Sequence, residues 1–400
     1  MLTYLTTGES HGPQLTAVID GFPAGFRIDV DRLNFQLARR QKGYGRGGRM
    51  KIEHDTVQIV SGVRGGSTMG GPITFVIANR DWDNWTRIMH PTEPIPDDLH
   101  LREERLARDA KRPRPGHADL AGAVKWDHHD MRNVLERASA RETAARTALG
   151  ALARQFLEYF GVEFASHVVR IGDVEIARNN YDLADLEAVR EITEQSDVRC
   201  LDKDTELQMI DAIRAARKAR DSLGGVAEVI IRGLPVGLGG FSQWYHRLDG
   251  RLAGALMAIH SAKGVEIGLG FESAARRGSE VHDEIFYDAA GDPRKKRFFR
   301  KTNNAGGIEA GITNGEDVIA RIAAKPISTL NQPLKTVDVQ TKEPGEAIVE
   351  RTDNCVVPAL AVVAEGVAAL VLTEAFLGKF GSDNIAETQR NFKSFLNTDY

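Results

Sequence analysis

Four arginines, Arg39, Arg40, Arg46 and Arg49, fall within eleven positions of the segment RRQKGYGRGGRM and are interleaved with four glycines. Guanidinium forks match phosphate and carboxylate oxygens two at a time, and a glycine-rich backbone lets those oxygens approach main-chain N–H groups. The segment therefore suits a small polyanion. It is not a nucleotide P-loop, because no Gly-Lys-Ser/Thr follows, and no helix signal opens after its glycines as a dinucleotide fingerprint requires. Upstream lies Gly8-Glu9-Ser10-His11-Gly12, where glycines permit a tight turn, Ser10 can donate a hydrogen bond and His11 can exchange a proton near neutral pH. A third cluster, Lys111 to Asp119, uses Pro113, Pro115 and Gly116 to fix a loop that displays Arg114, His117 and Asp119.

Two further stretches carry polar groups. In RNVLERASARE, Arg137 and Arg141 stand four apart on a predicted helix, so both could aim at one anion or bridge to Glu136 and Glu142. Between Thr302 and Asp353, TNNAGGIEAGITNGED, Lys325-Pro326-Ile327-Ser328-Thr329 and Arg351-Thr352-Asp353 offer glycine steps, a lysine beside hydroxyls and an Arg-x-Asp pair, a set able to hold a phosphate-bearing planar cofactor. His128 and His129 are adjacent, which is not the helical spacing that puts two metal ligands on one face, and no metal site is expected.

These clusters need a scaffold. Residues 1 to 90 alternate turn signals with short β-type runs, LTAVIDGF, TVQIVSGV and GPITFVIAN. From Met131 the apolar positions Val134, Leu135, Ala138, Ala145, Leu149, Leu152, Phe156 and Phe160 predict one long helix closed by Gly161. Further helices are predicted at 183–196, 204–222 and 248–263, with strands in VAEVIIRGLP and VEIGLGFE. Strands and helices come in blocks, which argues for an α+β layered fold and against a regularly alternating parallel sheet. His90 to Asp98 and the basic run Asp288 to Lys301 read as mobile, solvated loops.

Bulk properties narrow the function. A formal charge of −4 gives no global field to attract nucleic acid or an anionic membrane. Two cysteines, Cys200 and Cys355, make no disulfide framework and no CxxC pair, and the N-terminus has no signal-peptide pattern, so a cytoplasmic protein is expected. The apolar run Val356 to Leu377 carries Glu365 and Glu374 and reads as a buried helix of the core or of a subunit interface, not as a membrane span.

In order along the chain, GESHG, GYGRGGRM, RPGHAD, RNVLERASARETA, TNNAGGIEAGITNGED, KPIST and RTDNCVVPA resemble the chorismate synthase family, over residue 4 to about residue 366. The resemblance implies a single domain over 1–400, a β-α-β sandwich of antiparallel sheets around a helical core, and a homotetramer. It implies the 1,4-anti elimination of phosphate from 5-enolpyruvylshikimate 3-phosphate to give chorismate, with reduced FMN required and no net redox change. On that reading His11 is the general acid at the leaving phosphate, His117 protonates or holds the reduced flavin, and Asp353 assists proton removal. Ser10, Arg40, Arg46, Arg49, Arg114, Arg141 and Arg351 match the substrate clamp. Arg137, Ala138, Ser139, His260, Ser261, Ala310, Lys325, Pro326, Ile327, Ser328, Thr329 and Arg351 match the FMN site, and Arg40 and Arg46 also match positions assigned to NADP. Ala138 stands where a second serine is common, and His260-Ser261 replaces the more usual Gln-Ala. NADPH would reduce the flavin through an external flavin reductase. The rival readings are a flavoprotein oxidoreductase with net electron transfer and a noncatalytic anion- or RNA-binding module.

Overall fold

The structure is a computed structural model and describes residues 2–48, 53–94, 110–178, 182–350, 352–398 and 400. Alternating side chains build two antiparallel sheets. The first joins β1 (Thr3–Thr7), β2 (Gln14–Asp20), β3 (Gln58–Ser61) and β4 (Ile73–Ala78) in the order β1-β2-β4-β3. In β4 the sequence ITFVIA buries Ile73, Phe75 and Ile77 on one face, the period-2 pattern of a strand with one face on the core. The second joins β5 (Glu163–Ile171), β6 (Val174–Glu175), β7 (Gly225–Arg232), β8 (Ala262–Ile267) and β9 (Val318–Ala324) in the order β8-β9-β7-β5-β6.

Helices fill the space between the sheets and also cover the other face of the second sheet. The principal ones are α1 (Val30–Gln41), α2 (Asp119–Trp126), α3 (Arg132–Leu135), α4 (Thr143–Tyr159), α5 (Leu186–Gln195), α6 (Lys203–Lys218), α7 (Leu248–Met257), α8 (Val357–Phe380) and α9 (Ile385–Asn397). Starts are set by side-chain caps: Asp29, Asp185, Asp202 and Asn384 each accept a backbone N–H of the first turn. Helix α4 packs on the first sheet, α8 packs on the second, and the two pack on each other. The result is the β-α-β sandwich of an α+β fold.

Helix α8 is apolar and long enough to cross a bilayer, yet 94% of its most apolar window is buried inside the protein. Its Glu365, 1% exposed, explains why. The carboxylate accepts Arg39 Nη1 of α1 at 2.6 Å, Arg154 Nη1 of α4 and Ser166 Oγ of β5. A charge placed there needs protein partners, not lipid.

The helices α4 and α8 meet at Gly150 and Gly366. A Cβ on Gly150 would sit 2.4 Å from the Gly366 Cα, so backbone meets backbone with no flexible side chain to yield. Gly150→Ala is expected to destabilise the protein by about 1–3 kcal/mol or more despite alanine's better helix propensity. Urea unfolding of the variant checks it, and an unchanged midpoint would refute this account of the crossing.

Three expectations are corrected. The helix expected from Met131 is broken: α3 ends at Leu135, Ser139 is extended at φ −68°, ψ 142°, and α4 begins only at Thr143. The break turns Arg137 and Arg141 apart, so they do not share a helical face. The basic run after Asp288 is ordered: Ile285–Tyr287 and Phe298–Arg300 form an antiparallel hairpin. Arg294 donates to the carbonyls of Phe160 and Gly161, Lys295 pairs with Glu316, and Lys296 donates to Phe395 and Thr398 carbonyls at the end of α9. Orphan carbonyls at helix ends are what Arg294 and Lys296 satisfy. The helix expected at 248–263 ends at Met257, and the strand there is β8. Of the loop expected at His90 to Asp98, residues 95–98 lie outside the described residues.

Candidate active site

A cavity of about 960 Å³ opens where the ends of these elements converge. Its floor is apolar: Leu135, Ile259 and, from the first turns of α8, Val356, Ala359, Leu360 and Val363. Its walls are polar and come from segments remote in sequence: the 8–12 turn, the loop after α1, the 114–118 loop, the 132–143 break, the 259–263 turn, Lys325 with 327–329, and residues 349, 350, 352 and 353.

Two histidines of the cavity, His11 and His117, are each held by a carboxylate. His11, on the turn between β1 and β2, has Nδ1 2.9 Å from Glu136 Oε1, and its backbone N–H donates to Glu136 Oε2 at 2.7 Å. The His11 ring stacks on Trp85 with centroids 4.0 Å apart. His117 Nδ1 lies 2.5 Å from Asp119 Oδ1, and the other oxygen of Asp119 accepts Arg114 Nε at 2.8 Å. Burial pushes the Asp119 carboxyl up, but hydrogen bonds from His117 and Arg114 outweigh it and hold the group well below the usual carboxylate range. Glu136 is likewise held low against its burial, by His11 and then Arg132.

The arginines are anchored by a small number of acids. Arg40 donates to Thr143 Oγ1 at 2.9 Å and Ala140 O at 3.2 Å, and shares Asp55 with Arg141, whose Nη1 is 2.6 Å from that carboxylate. Burial, then the neighbouring Arg141 and Arg46, lower Arg40 to about 10, although Asp55 partly opposes this. Arg141 Nη2 also lies 3.6 Å from the buried Glu53, so these two guanidiniums are held by two carboxylates. Arg46 pairs with Asp353 at 3.3 Å, and Gly47 N–H donates to the same carboxylate. Arg114 also donates to Thr329 Oγ1 at 2.8 Å.

The cavity thus gathers Ser10, His11, Arg40, Arg46, Arg114, His117, Ala138, Ser139, Arg141, His260, Ser261, Lys325, Ile327, Ser328, Thr329 and Asp353 of the residues singled out above. Arg137, Ala310 and Pro326 are not part of its wall. Arg137 donates instead to the Thr6 carbonyl of β1 at 2.7 Å, and Ala310 occupies a left-handed turn, φ +49°, between Ile308–Glu309 and Ile312–Thr313. Arg49 and Arg351 lie outside the described residues. Sequence reasoning missed Glu136, Asp55, Trp85 and Arg132. A signal existed for the break that places them: Ser139-Ala140-Arg141-Glu142 has the Ser-x-x-Glu spacing of a helix start, and the Ser139 side chain accepts Arg141 N–H.

A layered α+β enzyme for a small, multiply charged anion is what this fold and cavity define. A family model described as chorismate synthase matches residues 2–377. The chorismate synthase of Geobacter sulfurreducens is 54% identical over 398 residues, covering 99% of this chain and 98% of that one. That of Bacillus pumilus is 50% identical over 390 residues, covering 98% and 97%. A solved chorismate synthase crystal structure superposes with a TM-score of 0.78 at 38% identity, covering 99% of this chain and 97% of its own. The chain belongs to the chorismate synthase family and is a lyase.

Proposed function

We propose that this cavity catalyses the 1,4-anti elimination of phosphate from 5-enolpyruvylshikimate 3-phosphate, giving chorismate, with reduced FMN bound beside the substrate. The observation that carries the reading is the meeting, around one cavity, of two histidine–carboxylate pairs with Arg40, Arg46, Arg114 and Arg141. A substrate with one phosphate and two carboxylates needs that many cations. Ser10, Arg40, Arg46, Arg114 and Arg141, with Arg49 and Arg351, are the proposed substrate clamp. His11 is the proposed acid: its imidazolium gives a proton to the phosphate oxygen as the C–O bond breaks.

The residues present fit a flavin. The apolar floor suits a flat ring, and His260, which lines the wall, has its buried Nδ1 without a hydrogen-bond partner, 3.7 Å from the equally unpartnered Oε2 of Glu142. Ser261 beside them is left-handed at φ +71° and presents its carbonyl to Lys325 N–H. His260, Ser261, Ala138, Ser139, Lys325 and Ile327 to Thr329 would hold the cofactor. Bound reduced, FMN supplies electron density to the substrate transiently, with no net redox change. His117, fixed by Asp119, stands ready to donate a proton toward that side, and Asp353, held by Arg46 and Gly47, to help take one up.

Arg40, 3% exposed and committed to Asp55 and Thr143, supports a substrate role better than an NADP one. NADPH with FMN in air should therefore give no chorismate until a separate flavin reductase is added. We place the protein in the cytoplasm as a homotetramer. Phe241, Trp244 and Phe271, exposed at 73%, 81% and 84%, support self-association.

The test is an anaerobic assay with photoreduced FMN and 5-enolpyruvylshikimate 3-phosphate, against an oxidised-FMN control. Equal amounts of chorismate and phosphate, only with reduced flavin, are expected. Folded, flavin-binding protein that gives neither would overturn the proposal and favour net electron transfer.

A further inference from the structure

We propose that Glu136, backed by Arg132, is the positioning residue of His11: it fixes the imidazole in the Nδ1–H form and so reserves Nε2 for proton exchange in the cavity. The inference rests on the acid role given to His11 above. A histidine on a glycine-flanked turn has no scaffold of its own, since Gly8 and Gly12 contribute no side chain to hold it. What holds it is a carboxylate 125 positions away in sequence.

Three contacts converge. Glu136 reaches the His11 ring nitrogen Nδ1 with both oxygens, at 2.9 and 3.1 Å, and the His11 backbone N–H with one of them, at 2.7 Å. The same carboxylate grips the turn and the ring, so the ring cannot rotate without giving up a charge-assisted bond. Trp85 lies against the ring face with an interplanar angle of 24°, and the Arg132 guanidinium lies over the Trp85 ring at 5.1 Å. Arg132 Nη1 then reaches Glu136 Oε1 at 3.2 Å and Glu350 at 2.7 Å, so the carboxylate is itself pinned. Glu136 and the Ser10 backbone are tied independently, because Ser10 N–H donates to the Glu136 carbonyl at 3.0 Å.

The chemistry follows from the donor inventory. An ionised carboxylate only accepts, so the nitrogen facing it must carry hydrogen in both the neutral and the protonated ring. Proton transfer to the departing phosphate then breaks the Nε2–H bond, makes an O–H bond, and leaves a neutral ring whose Nδ1–H still donates to Glu136. Reprotonation from solvent at Nε2 restores the acid. Asp81 Oδ2 lies 3.9 Å from Nε2, an ion-pair separation longer than a hydrogen bond. Geometry, not desolvation, makes the assignment: with an amide at position 136, one face of the group would become a donor aimed at another donor, either His11 N–H, His11 Nδ1–H or Arg132.

The experiment uses the full-length holoenzyme labelled with ¹⁵N-histidine, with His11 resonances identified by their loss in His11→Ala. Wild-type protein at pH 8 should show the Nδ1–H form, and Glu136→Gln should show the Nε2–H form gaining population. Turnover by Glu136→Gln should fall by about 10–10²-fold in kcat with substrate KM within about threefold, the pattern of a lost tautomer, and Glu136→Asp should recover part of it. The double variant Glu136→Gln/His11→Ala should be no slower than His11→Ala alone, since a residue that acts through His11 has nothing left to act on. An unchanged tautomer, or losses that multiply in the double variant, would overturn the proposal. If Glu136→Gln does not fold, Glu136→Ala, which leaves Nδ1 no side-chain carboxylate at position 136, carries the same ring measurement, and a ring spectrum identical to wild type would overturn the proposal equally. Because the spectrum needs no turnover, a wild-type enzyme that made no chorismate would refute the reaction without touching this result.

Discussion

Replacing His11 or His117 by alanine should each lower kcat by about 10²-fold or more, the usual loss when a positioned acid or base is removed, with the fold left intact. The second half of that expectation is what the structure adds. Removing a charged partner from a buried pair usually strands the other charge. Here neither carboxylate is stranded: Asp119 keeps the Arg114 guanidinium at 2.8 and 3.0 Å, and Glu136 keeps Arg132 and the His11 backbone N–H. Thermal unfolding and FMN titration of both variants should therefore stay close to wild type while single-turnover chorismate formation slows. Near-native rates in either variant would remove that histidine from the chemistry. A collapse of stability would show that its carboxylate depends on the imidazole more than on the arginine.

The same contacts explain how far the site could be read without coordinates. Gly8 to Gly12 and Arg114 to Asp119 are local devices: turn residues, histidine and, in the second, the carboxylate lie within a few positions, so spacing alone exposes them. Glu136 cannot be found that way. Its partner is across the fold, and on a helical wheel it looks like the exposed end of an intrahelical pair with Arg132, a contact that does exist at 3.2 Å. Asp55 is similarly silent, sitting in a loop and becoming central only when α1 and the 139–143 segment bring Arg40 and Arg141 to it. The layered α+β class was legible because period-2 and period-3.6 apolar patterns each persist over several strands or turns, while the β-α-β sandwich itself was implied only by the family resemblance. The break at Ser139 was not, because apolar spacing continues through it while a hydroxyl and two guanidiniums pull the backbone open. The basic hairpin was misread for a related reason: charge density says nothing about nearby helix ends whose carbonyls want donors.

Glu365→Gln should cost about 3–5 kcal/mol of folding stability, because the carboxylate at the centre of the sandwich is shared by Arg39 and Arg154 and both would lose a full charge. Arg39 retains Glu194 at 2.6 Å and Arg154 retains Glu158 at 2.6 Å, which sets the loss toward the lower end. The pH dependence has a definite sign. Burial pushes the Glu365 carboxyl up, but Arg39 and Arg154 overcome it and hold the folded-state pKa far below the usual carboxylate range. A depressed folded pKa contributes stability that is complete above the unfolded value, near 4.3, and is lost as pH falls below it toward the folded value. Wild type should accordingly lose stability from about pH 5 downward in part through this group, and the glutamine variant, having nothing to protonate, should not. Urea unfolding at pH 7 and at pH 3.5 checks this: the gap between the two proteins should narrow at the lower pH, and a gap that stays constant would show that shape rather than charge is what Glu365 supplies. Since Arg39 is followed on α1 by Arg40, which lines the cavity, a loosened Arg39 should also weaken substrate binding. KM should rise by more than kcat falls, linking this buried ion-pair cluster of the core to the anion site it supports.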